Sequence, residues 1–278
     1  MPSPQIATSV QNGPETGPTR REAPVALLVV GGLDPGGGAG LFRDVATARA
    51  LGARVHAVGT AWTEQTEGVH RVEPRDPGAL SRGLAEALAD LRPAAVKVGM
   101  AVSPVHADAL LAALATYAGP IVVDPVLATS RGGPLWQAPA GALLPLLRRA
   151  ALVTPNALEA AALTGQRIES VAAATSAAEA LLGEGLAAVL VKGGHLADSG
   201  LVTDVLATAG GVQRFSHPRI AGPSPRGTGC ALATALAVAL GQGQPLATAV
   251  ETATTWLAAA IAGAQAVGAE RHLDRSAG

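Results

Sequence analysis

The only cysteine of this 278-residue chain, Cys230, directly follows a Gly-Thr-Gly turn and precedes an alanine-rich run that is typical of a helix. Gly227 and Gly229 allow a sharp turn, so the backbone N–H groups of Thr228, Gly229 and Cys230 would lie at a helix N-terminus without helical partners. Such amides bind anions and can stabilise the charge of a phosphoryl group during transfer. The helix dipole would also lower the pKa of Cys230 and let its thiolate accept a proton from a substrate hydroxyl. A cysteine that packs as a small hydrophobic residue is the alternative.

A second glycine cluster, GGLDPGGGAG at residues 31–40, lies between an apolar run and a segment with helical spacing. Glycines allow positive φ angles and a close approach of the backbone to a ligand, and the helix that begins near Ala39 could direct its amides at a polar group. The cluster has neither the Gly-Lys-Ser/Thr of a P-loop nor a clean dinucleotide fingerprint. It is therefore either a ligand-binding loop or a glycine-rich connection.

Polar side chains also follow several of the apolar runs. Asn156 and Glu159, in TPNALEAA, have the spacing of a helix capping box. They could instead hold water on a Mg²⁺ ion that is bound by phosphates, and Asp124 in VVDPV could serve the same cation. Lys192 in LVKGGH could neutralise phosphate, and a solvated lysine is the alternative.

Short apolar runs alternate with helix-length segments from Val25 onward. This alternation predicts βαβ units in an α/β fold, with a mostly parallel sheet and helices on both faces. Ligands of such sheets lie beyond the carboxyl ends of the strands, where the polar residues fall. The predicted strands are 25–30, 54–60, 94–100, 120–126, 151–156 and 187–194, with a strand pair in 201–218. The predicted helices are 39–52, 76–91, 103–119, 158–165, 170–185, 228–240 and 245–264.

Length, composition and charge limit the possible functions. With 278 residues, 49% of them hydrophobic, the chain is long enough for one large α/β domain. A formal net charge of −1 and an aromatic content of 2% argue against the binding of nucleic acid or of an anionic membrane. A single cysteine excludes an intrachain disulfide and suits the cytoplasm, and the six histidines lack the spacing of a catalytic metal site.

The predicted domain covers residues 24–266. Residues 1–23 lack the apolar core of a signal peptide or membrane anchor, and their composition predicts a disordered extension. Residues 267–278 are expected to form a frayed tail, and no apolar run is long enough to span a bilayer.

Seven motifs, taken together and in this order, resemble those of the hydroxymethylpyrimidine/phosphomethylpyrimidine kinases of the ribokinase-like superfamily. They are GGLDPGGGAGLFRDVATARALGA, TEQTEGV, KVGM, VVDPV, LVTPNALEAAALTG, VKGGH and RGTGC, and the match runs through most of residues 25–264. The resemblance implies a three-layer α/β/α sandwich, ATP and Mg²⁺ as co-substrates, and phosphorylation of a hydroxymethyl or phosphate group on a pyrimidine in thiamine biosynthesis. We also expect a homodimer.

The resemblance further implies roles for individual residues. Cys230 takes the place of the aspartate base found in most of the superfamily, beside an anion hole at Gly227, Thr228 and Gly229. The residues expected on the pyrimidine side are Gly32, Asp34, Glu64 and Met100. The residues expected on the nucleotide side are Thr154, Asn156 and Lys192, with Asp124 and Glu159 serving Mg²⁺ largely through water and phosphate.

Several positions depart from the family pattern. Gly36 replaces a usual serine, residues 130–133 lack a usual lysine and aspartate, and Arg226 replaces a usual histidine. These changes leave the anion hole intact but bear on the identity of the substrate. A pyridoxal or pyridoxine kinase is one alternative, although Glu64 favours an aminopyrimidine because a carboxylate can accept a hydrogen bond from an exocyclic NH₂. A non-catalytic homologue that binds a pyrimidine or nucleotide is the other.

Overall fold

The computed structural model describes residues 23–65, 69–129, 133–194, 196, 200–267 and 270–273. Residues 1–22 of the expected extension, residues 130–132 of the altered segment and residues 274–278 of the tail lie outside them. The strands are β1 (Ala26–Leu33), β2 (Arg54–Gln65), β3 (Val69–Pro74), β4 (Ala95–Val98), β5 (Ile121–Val123), β6 (Leu152–Val153), β7 (Ala188–Val191), β8 (Leu201–Thr208), β9 (Gly211–Pro218), β10 (Gln265–Val267) and β11 (Glu270–His272). The helices are α1 (Gly40–Ala50), α2 (Pro77–Leu91), α3 (Pro104–Ala113), α4 (Leu144–Arg148), α5 (Ala157–Thr164), α6 (Val171–Gly183), α7 (Thr228–Gly241) and α8 (Leu246–Ala262).

Nine of these strands form one sheet in the order β3-β2-β1-β4-β5-β6-β7-β8-β9. The pairs from β2 through β7 are parallel, whereas β3, β8 and β9 join as antiparallel strands at the two edges. The mostly parallel sheet predicted from the sequence is therefore confirmed. Its parallel strands end at one edge, which is where the polar residues of interest follow them.

Two hydrophobic layers cover the two faces of the sheet. In β1, Leu28 and Val30 belong to the core under α2 to α6, while Leu27 and Val29 belong to the core under α1, α7 and α8. Strands buried on both faces need near-continuous apolar runs, which explains the sequence of β1. The three-layer α/β/α sandwich is confirmed. No helix in the described part of the chain is long and apolar enough to cross a membrane.

The helix starts show how local sequence defines these elements. Asp76 accepts a hydrogen bond of 2.8 Å from the backbone N–H of Ala79, and Pro77 occupies the first turn of α2, in agreement with the predicted start of this helix at residue 76. Ser103 does precede α3, but its hydroxyl lies 2.7 Å from Nδ1 of His106 and does not cap the helix. Ser103 is therefore the N-cap residue by position, while its hydroxyl is engaged by the neighbouring histidine.

Several elements differ from the sequence prediction, among them helix α4, which has no predicted counterpart. β2 extends to Gln65 and pairs with β3, where only a strand at residues 54–60 was predicted. The extension alternates buried Ala61 and Thr63 with exposed Trp62, so it lacks the continuous apolar run of the central strands. At the C-terminus, where the sequence predicts a frayed tail, β10 pairs with β11 and Leu273 is buried against α7 and α8.

Gly193, two residues after the end of β7, provides a test of how tightly this edge of the sheet is packed. A Cβ atom there would overlap the carbonyl oxygen of Thr203 in β8, whereas a Cβ atom on Gly194 would meet nothing within 4 Å. We expect Gly193→Ala to lower the free energy of unfolding by about 2 kcal/mol or more, because backbone must move to admit the methyl group. Gly194→Ala is the matched control and should change it by less than about 0.5 kcal/mol in urea unfolding. Equal effects of the two substitutions would contradict this packing.

Candidate functional site

Helix α7 begins at Thr228 and directs its first backbone N–H groups into the crevice at the carboxyl edge of the sheet. Gly227 precedes it with a φ of 74°, and a Cβ atom there would overlap the carbonyl oxygen of Gly38 in the first glycine loop. Only glycine fits this left-handed, closely packed position. The helix start predicted from the Gly-Thr-Gly turn is thus present, and the two glycine clusters are in contact.

A charged cluster faces this helix N-terminus. The ammonium group of Lys192 lies 2.6 Å from Oδ1 of Asp124 and 3.8 Å from Oε2 of Glu159. Thr154 donates a hydrogen bond of 3.3 Å to the same Asp124 oxygen. A Cβ atom on Gly229 would lie 3.2 Å from Lys192 Nζ and 3.7 Å from Asp124 Oδ2, so the cluster and the first turn of α7 border the same space. The structure therefore brings these residues together as the sequence predicts.

Asn156 and Glu159 form the capping box that their spacing indicates. The Asn156 side chain accepts from the Glu159 N–H at 2.9 Å, and the Glu159 carboxylate accepts from the Asn156 N–H at 2.7 Å. The capping alternative is thus confirmed for both residues. Glu159 also lies beside Lys192, and burial raises the pKa of its carboxyl group to about 7 although Lys192 opposes the shift.

The described residues contain no group of three or more His, Cys, Asp or Glu side chains that could hold a metal ion by themselves. Asp124 and Glu159 are nevertheless oxygen ligands of the kind that Mg²⁺ prefers. Asp124 Oδ2 lies toward Gly229, where an anion at the helix N-terminus would sit. The donor set therefore fits a hydrated cation that arrives with phosphate, rather than a cation held by the protein alone.

Asp34, expected on the substrate side, organises the first glycine loop. One carboxylate oxygen accepts from the Gly36 N–H and the other from the Ala39 N–H, each at 3.1 Å. Arg226 donates a further bond of 3.0 Å to Asp34. Asp34 is buried, and both of its carboxylate oxygens accept hydrogen bonds. It therefore links the first glycine loop to Arg226, the residue that precedes the Gly-Thr-Gly turn.

Gly32 and Met100, both expected on the pyrimidine side, lie against each other. A Cβ atom on Gly32 would lie 2.7 Å from the Met100 sulfur, and Met100 packs with Ala61 and Val102. Glu64 stands exposed on the β2 extension. Its neighbour Thr63 donates a hydrogen bond of 2.7 Å to the Leu33 carbonyl, which fixes the extension beside the first loop.

The structure overturns one expectation about Cys230. Burial raises the pKa of its thiol to about 11, whereas the helix-dipole argument predicts a lowered pKa. The charge of Lys97 and a backbone hydrogen bond from Gly40 oppose the rise, while Asp44 and Asp124 add to it. Desolvation in a crevice lined by carboxylates outweighs the favourable position at the helix start.

Sequence reasoning missed a buried ion pair beneath the helix. Lys97 in β4 and Asp44 in α1 form a 2.8 Å salt bridge, with side-chain exposures of 1% and 0%. Lysine within the apolar strand segment AVKV was the available signal, because a buried lysine needs a partner. The C-terminal strand was also missed: the Arg226 N–H donates to the Arg271 carbonyl at 3.1 Å, so β11 supports the turn before α7.

Comparison with known proteins identifies the family to which this chain belongs. The sequence model of a family described as phosphomethylpyrimidine kinase matches residues 34–273. The chain belongs to this family. The hydroxymethylpyrimidine/phosphomethylpyrimidine kinase of Escherichia coli K12 is 37% identical over 245 residues, which cover 86% of this chain and 92% of that protein. The bifunctional thiamine biosynthesis protein ThiED of Geobacter sulfurreducens is 38% identical over 247 residues, and the match covers 87% of this chain but only 50% of ThiED.

Solved structures agree with this assignment. A phosphomethylpyrimidine kinase from Clostridium difficile 630 superimposes with a TM-score of 0.73 at 30% identity, covering 85% of this chain and 99% of that one. A pyridoxal kinase from Staphylococcus aureus in complex with ADP superimposes with a TM-score of 0.83 at 25% identity. The superposition covers 91% of this chain and 93% of that kinase. The chain is therefore a phosphotransferase that uses ATP, with the ribokinase-like fold that its motifs imply.

The raised pKa of Glu159 gives this kinase a defined pH dependence of stability. Because the folded carboxyl group holds its proton up to about pH 7, its stabilising contribution is complete below the ordinary carboxyl pKa and is lost as the pH rises through about 7. We expect the free energy of unfolding to fall between pH 5 and pH 8, and Glu159→Gln to remove on the order of 1–3 kcal/mol of that fall. Glutamine keeps the capping hydrogen bond.

The measurement is urea unfolding at both pH values, with Glu169→Gln as the control. Glu169 is an exposed carboxylate, with 65% of its side chain accessible, and it pairs with Arg167. Its substitution should leave the pH dependence as in the wild type. A Glu159→Gln profile parallel to that of the wild type would show that Glu159 is ionised throughout this range.

Proposed function

We propose that the kinase transfers the γ-phosphoryl group of ATP to 4-amino-5-hydroxymethyl-2-methylpyrimidine, to its monophosphate, or to both, in thiamine biosynthesis. One observation carries the proposal: the first turn of α7, with Cys230 in it, borders the same space as the Lys192–Asp124–Glu159 cluster. Relatives named as kinases of this pyrimidine and of its phosphate support the choice of substrate.

The helix N-terminus and a nearby lysine would stabilise the negative charge of the phosphoryl group during transfer. The amides of Thr228, Gly229 and Cys230 would accept the developing negative charge, and the Lys192 ammonium group lies at their edge. Lys192 remains charged because, although burial acts to lower its pKa, Asp124 and Glu159 together raise it. In phosphoryl transfer such positioning and charge stabilisation dominate over proton removal.

The proposed reaction uses Mg²⁺, because the carboxylates of Asp124 and Glu159 are the kind of oxygen ligand that this ion prefers. When bound with ATP it would neutralise phosphate charge, and Asp124 and Glu159 would hold it largely through water. Asn156 supports this side by keeping Glu159 oriented through the capping box. Thr154 keeps Asp124 oriented, because its hydroxyl group donates a hydrogen bond to Asp124 Oδ1.

Cys230 can serve the substrate hydroxyl in two ways. A thiol with a pKa near 11 is protonated at neutral pH, so in the ligand-free kinase Cys230 is able to position the hydroxyl group by hydrogen bonding. Accepting the hydroxyl proton requires the thiolate form, which is then a minor species. The positioning role needs no thiolate, whereas the base role depends on the neighbouring groups that favour the thiolate form.

The pyrimidine would lie between Gly32, Met100 and Glu64. Gly32 and Met100 supply an apolar wall, and the exposed Glu64 carboxylate could accept from the ring's exocyclic NH₂. Arg226 adds positive charge next to the anion hole, where it replaces the family's histidine and holds Asp34. A homodimer, expected from the resemblance, stays a prediction.

Pyridoxal phosphorylation is the second candidate, because the pyridoxal kinase of Staphylococcus aureus superimposes with a TM-score of 0.83. Glu64 distinguishes the two substrates, since pyridoxal lacks the exocyclic amine of the aminopyrimidine.

We expect kcat/KM for the aminopyrimidine alcohol to exceed that for pyridoxal at least about tenfold, and Glu64→Ala to lower the pyrimidine value about tenfold or more while sparing pyridoxal. The measurement is ADP release with each substrate at saturating Mg·ATP. Glu73→Ala is the matched control, since Glu73 is a half-exposed acid on the adjacent strand β3 that pairs with Arg71.

Higher activity with pyridoxal would replace the proposed substrate with the second candidate. Tight pyrimidine binding in calorimetry without any ADP release would instead identify a non-catalytic binding protein.

A further inference from the structure

A second charged group lies against α7 and contacts Thr234 in its second turn. Lys97 Nζ contacts Asp44 Oδ2 at 2.8 Å, and Thr234 of α7 donates to Asp44 Oδ1 at 2.9 Å. Lys97, Asp44 and Thr234 are all buried, from three different elements. Burying an ion pair in a sheet core is costly unless both charges are fully partnered.

The position of this network relates it to Cys230. Thr234 follows Cys230 by four residues in α7, so the two side chains lie on one face of the helix, one turn apart. Lys97 approaches from β4, and a Cβ atom on Gly99 would lie 2.8 Å from its ammonium nitrogen. Gly99 therefore leaves the space that the lysine occupies, directly before Met100 of the pocket wall.

We propose that Lys97 is a positioning residue for phosphoryl transfer: its buried ammonium group, anchored by Asp44 and Thr234, controls the charge of Cys230 at the start of α7. This inference rests on the proposed function for its consequence in catalysis. Cys230 can take the hydroxyl proton only after its own proton has left to solvent, and Lys97 increases the fraction of thiolate that can do so.

The charges around Cys230 support a specific role for Lys97. Asp44 of α1 and Asp124 after β5 disfavour a thiolate, whereas Lys97 of β4 and the Gly40 backbone favour it. Lys192 after β7 also interacts with Cys230, but its ammonium group is held by Asp124 at 2.6 Å. Although burial acts to lower the pKa of Lys97, Asp44 and the other anions raise it, so Lys97 keeps its charge.

The single cysteine makes the test direct, because iodoacetamide alkylation of the chain reports on Cys230 alone. Below the pKa of the thiol the alkylation rate follows the thiolate fraction, so a rise of one pKa unit slows it about tenfold. At pH 8 to 9.5 we expect Lys97→Met to slow alkylation by about fivefold or more, and Asp44→Asn to accelerate it by a similar factor.

These opposite signs separate an electrostatic role from a structural one. If the network only supports the fold, both substitutions loosen the helix start and expose Cys230, and alkylation accelerates in both. Val98→Ala is the packing control, since Val98 is a buried neighbour in the same strand and removing its methyl groups changes no charge. It should leave the alkylation profile within about twofold of the wild type.

A double variant, Lys97→Met with Asp44→Leu, keeps the test open if the single variants fold poorly. Replacing a buried ion pair by hydrophobic residues of similar size is often tolerated or even stabilising. Because Lys97 affects the thiol more than Asp44 does, alkylation of the double variant should still be slower than that of the wild type.

Kinase activity supplies the second readout. Lys97→Met should lower kcat by about the factor by which it slows alkylation, about fivefold or more, and the double variant should lower it by a smaller factor, with KM for ATP unchanged. A wild-type alkylation profile in the double variant, acceleration in both single variants, or an unchanged kcat in Lys97→Met would overturn the inference. Alkylation needs no substrate, so it tests the link between Lys97 and Cys230 even if the proposed pyrimidine is not phosphorylated.

Discussion

The contact between two glycine turns from distant parts of the chain determines the geometry of the site. Gly227 packs so closely on the Gly38 carbonyl that no Cβ atom fits, and this places the first turn of α7 against the loop that follows β1. The Asp34–Arg226 ion pair links the same two segments, and β11 supports them through the Arg226 N–H. The amides at the helix start are therefore fixed before any ligand binds, as electrostatic stabilisation of a transferring group requires.

Around this helix start the kinase arranges charges of both signs under restricted solvent access. Lys192 is partly exposed and pairs with Asp124 and Glu159, whereas Lys97 is fully buried and pairs with Asp44. Each lysine keeps its charge because carboxylates surround it, and the same carboxylates oppose a thiolate at Cys230. The site thus favours positive charge where phosphates would lie and restrains negative charge on the sulfur.

Much of this arrangement could be predicted from sequence, because it follows from local rules. Asp124 and Lys192 directly follow apolar runs, Asn156 follows one after two residues, and parallel strands bring their carboxyl ends to one edge. The Gly-Thr-Gly turn likewise marks the start of α7. The chemical types and order of these residues were sufficient to place them in one crevice and to suggest the family.

The remaining features depend on contacts between distant segments. Lys97 and Asp44 are 53 positions apart, so their pairing becomes visible only in the folded chain. The helix start alone favours a lowered pKa at Cys230, but the packed surroundings desolvate the thiol and raise its pKa instead. The β2–β3 hairpin escaped prediction because one face of its strands is exposed and the apolar pattern is weak there.

The most direct test of the account is a crystal structure of the kinase with the aminopyrimidine alcohol and a non-hydrolysable ATP analogue. The account predicts that the terminal phosphate accepts hydrogen bonds from the amides of Thr228, Gly229 and Cys230 and lies next to Lys192. The hydroxymethyl oxygen should lie beside the Cys230 sulfur, within reach of that phosphate. A terminal phosphate bound away from the start of α7, or a pyrimidine outside the space between Gly32, Met100 and Cys230, would contradict it.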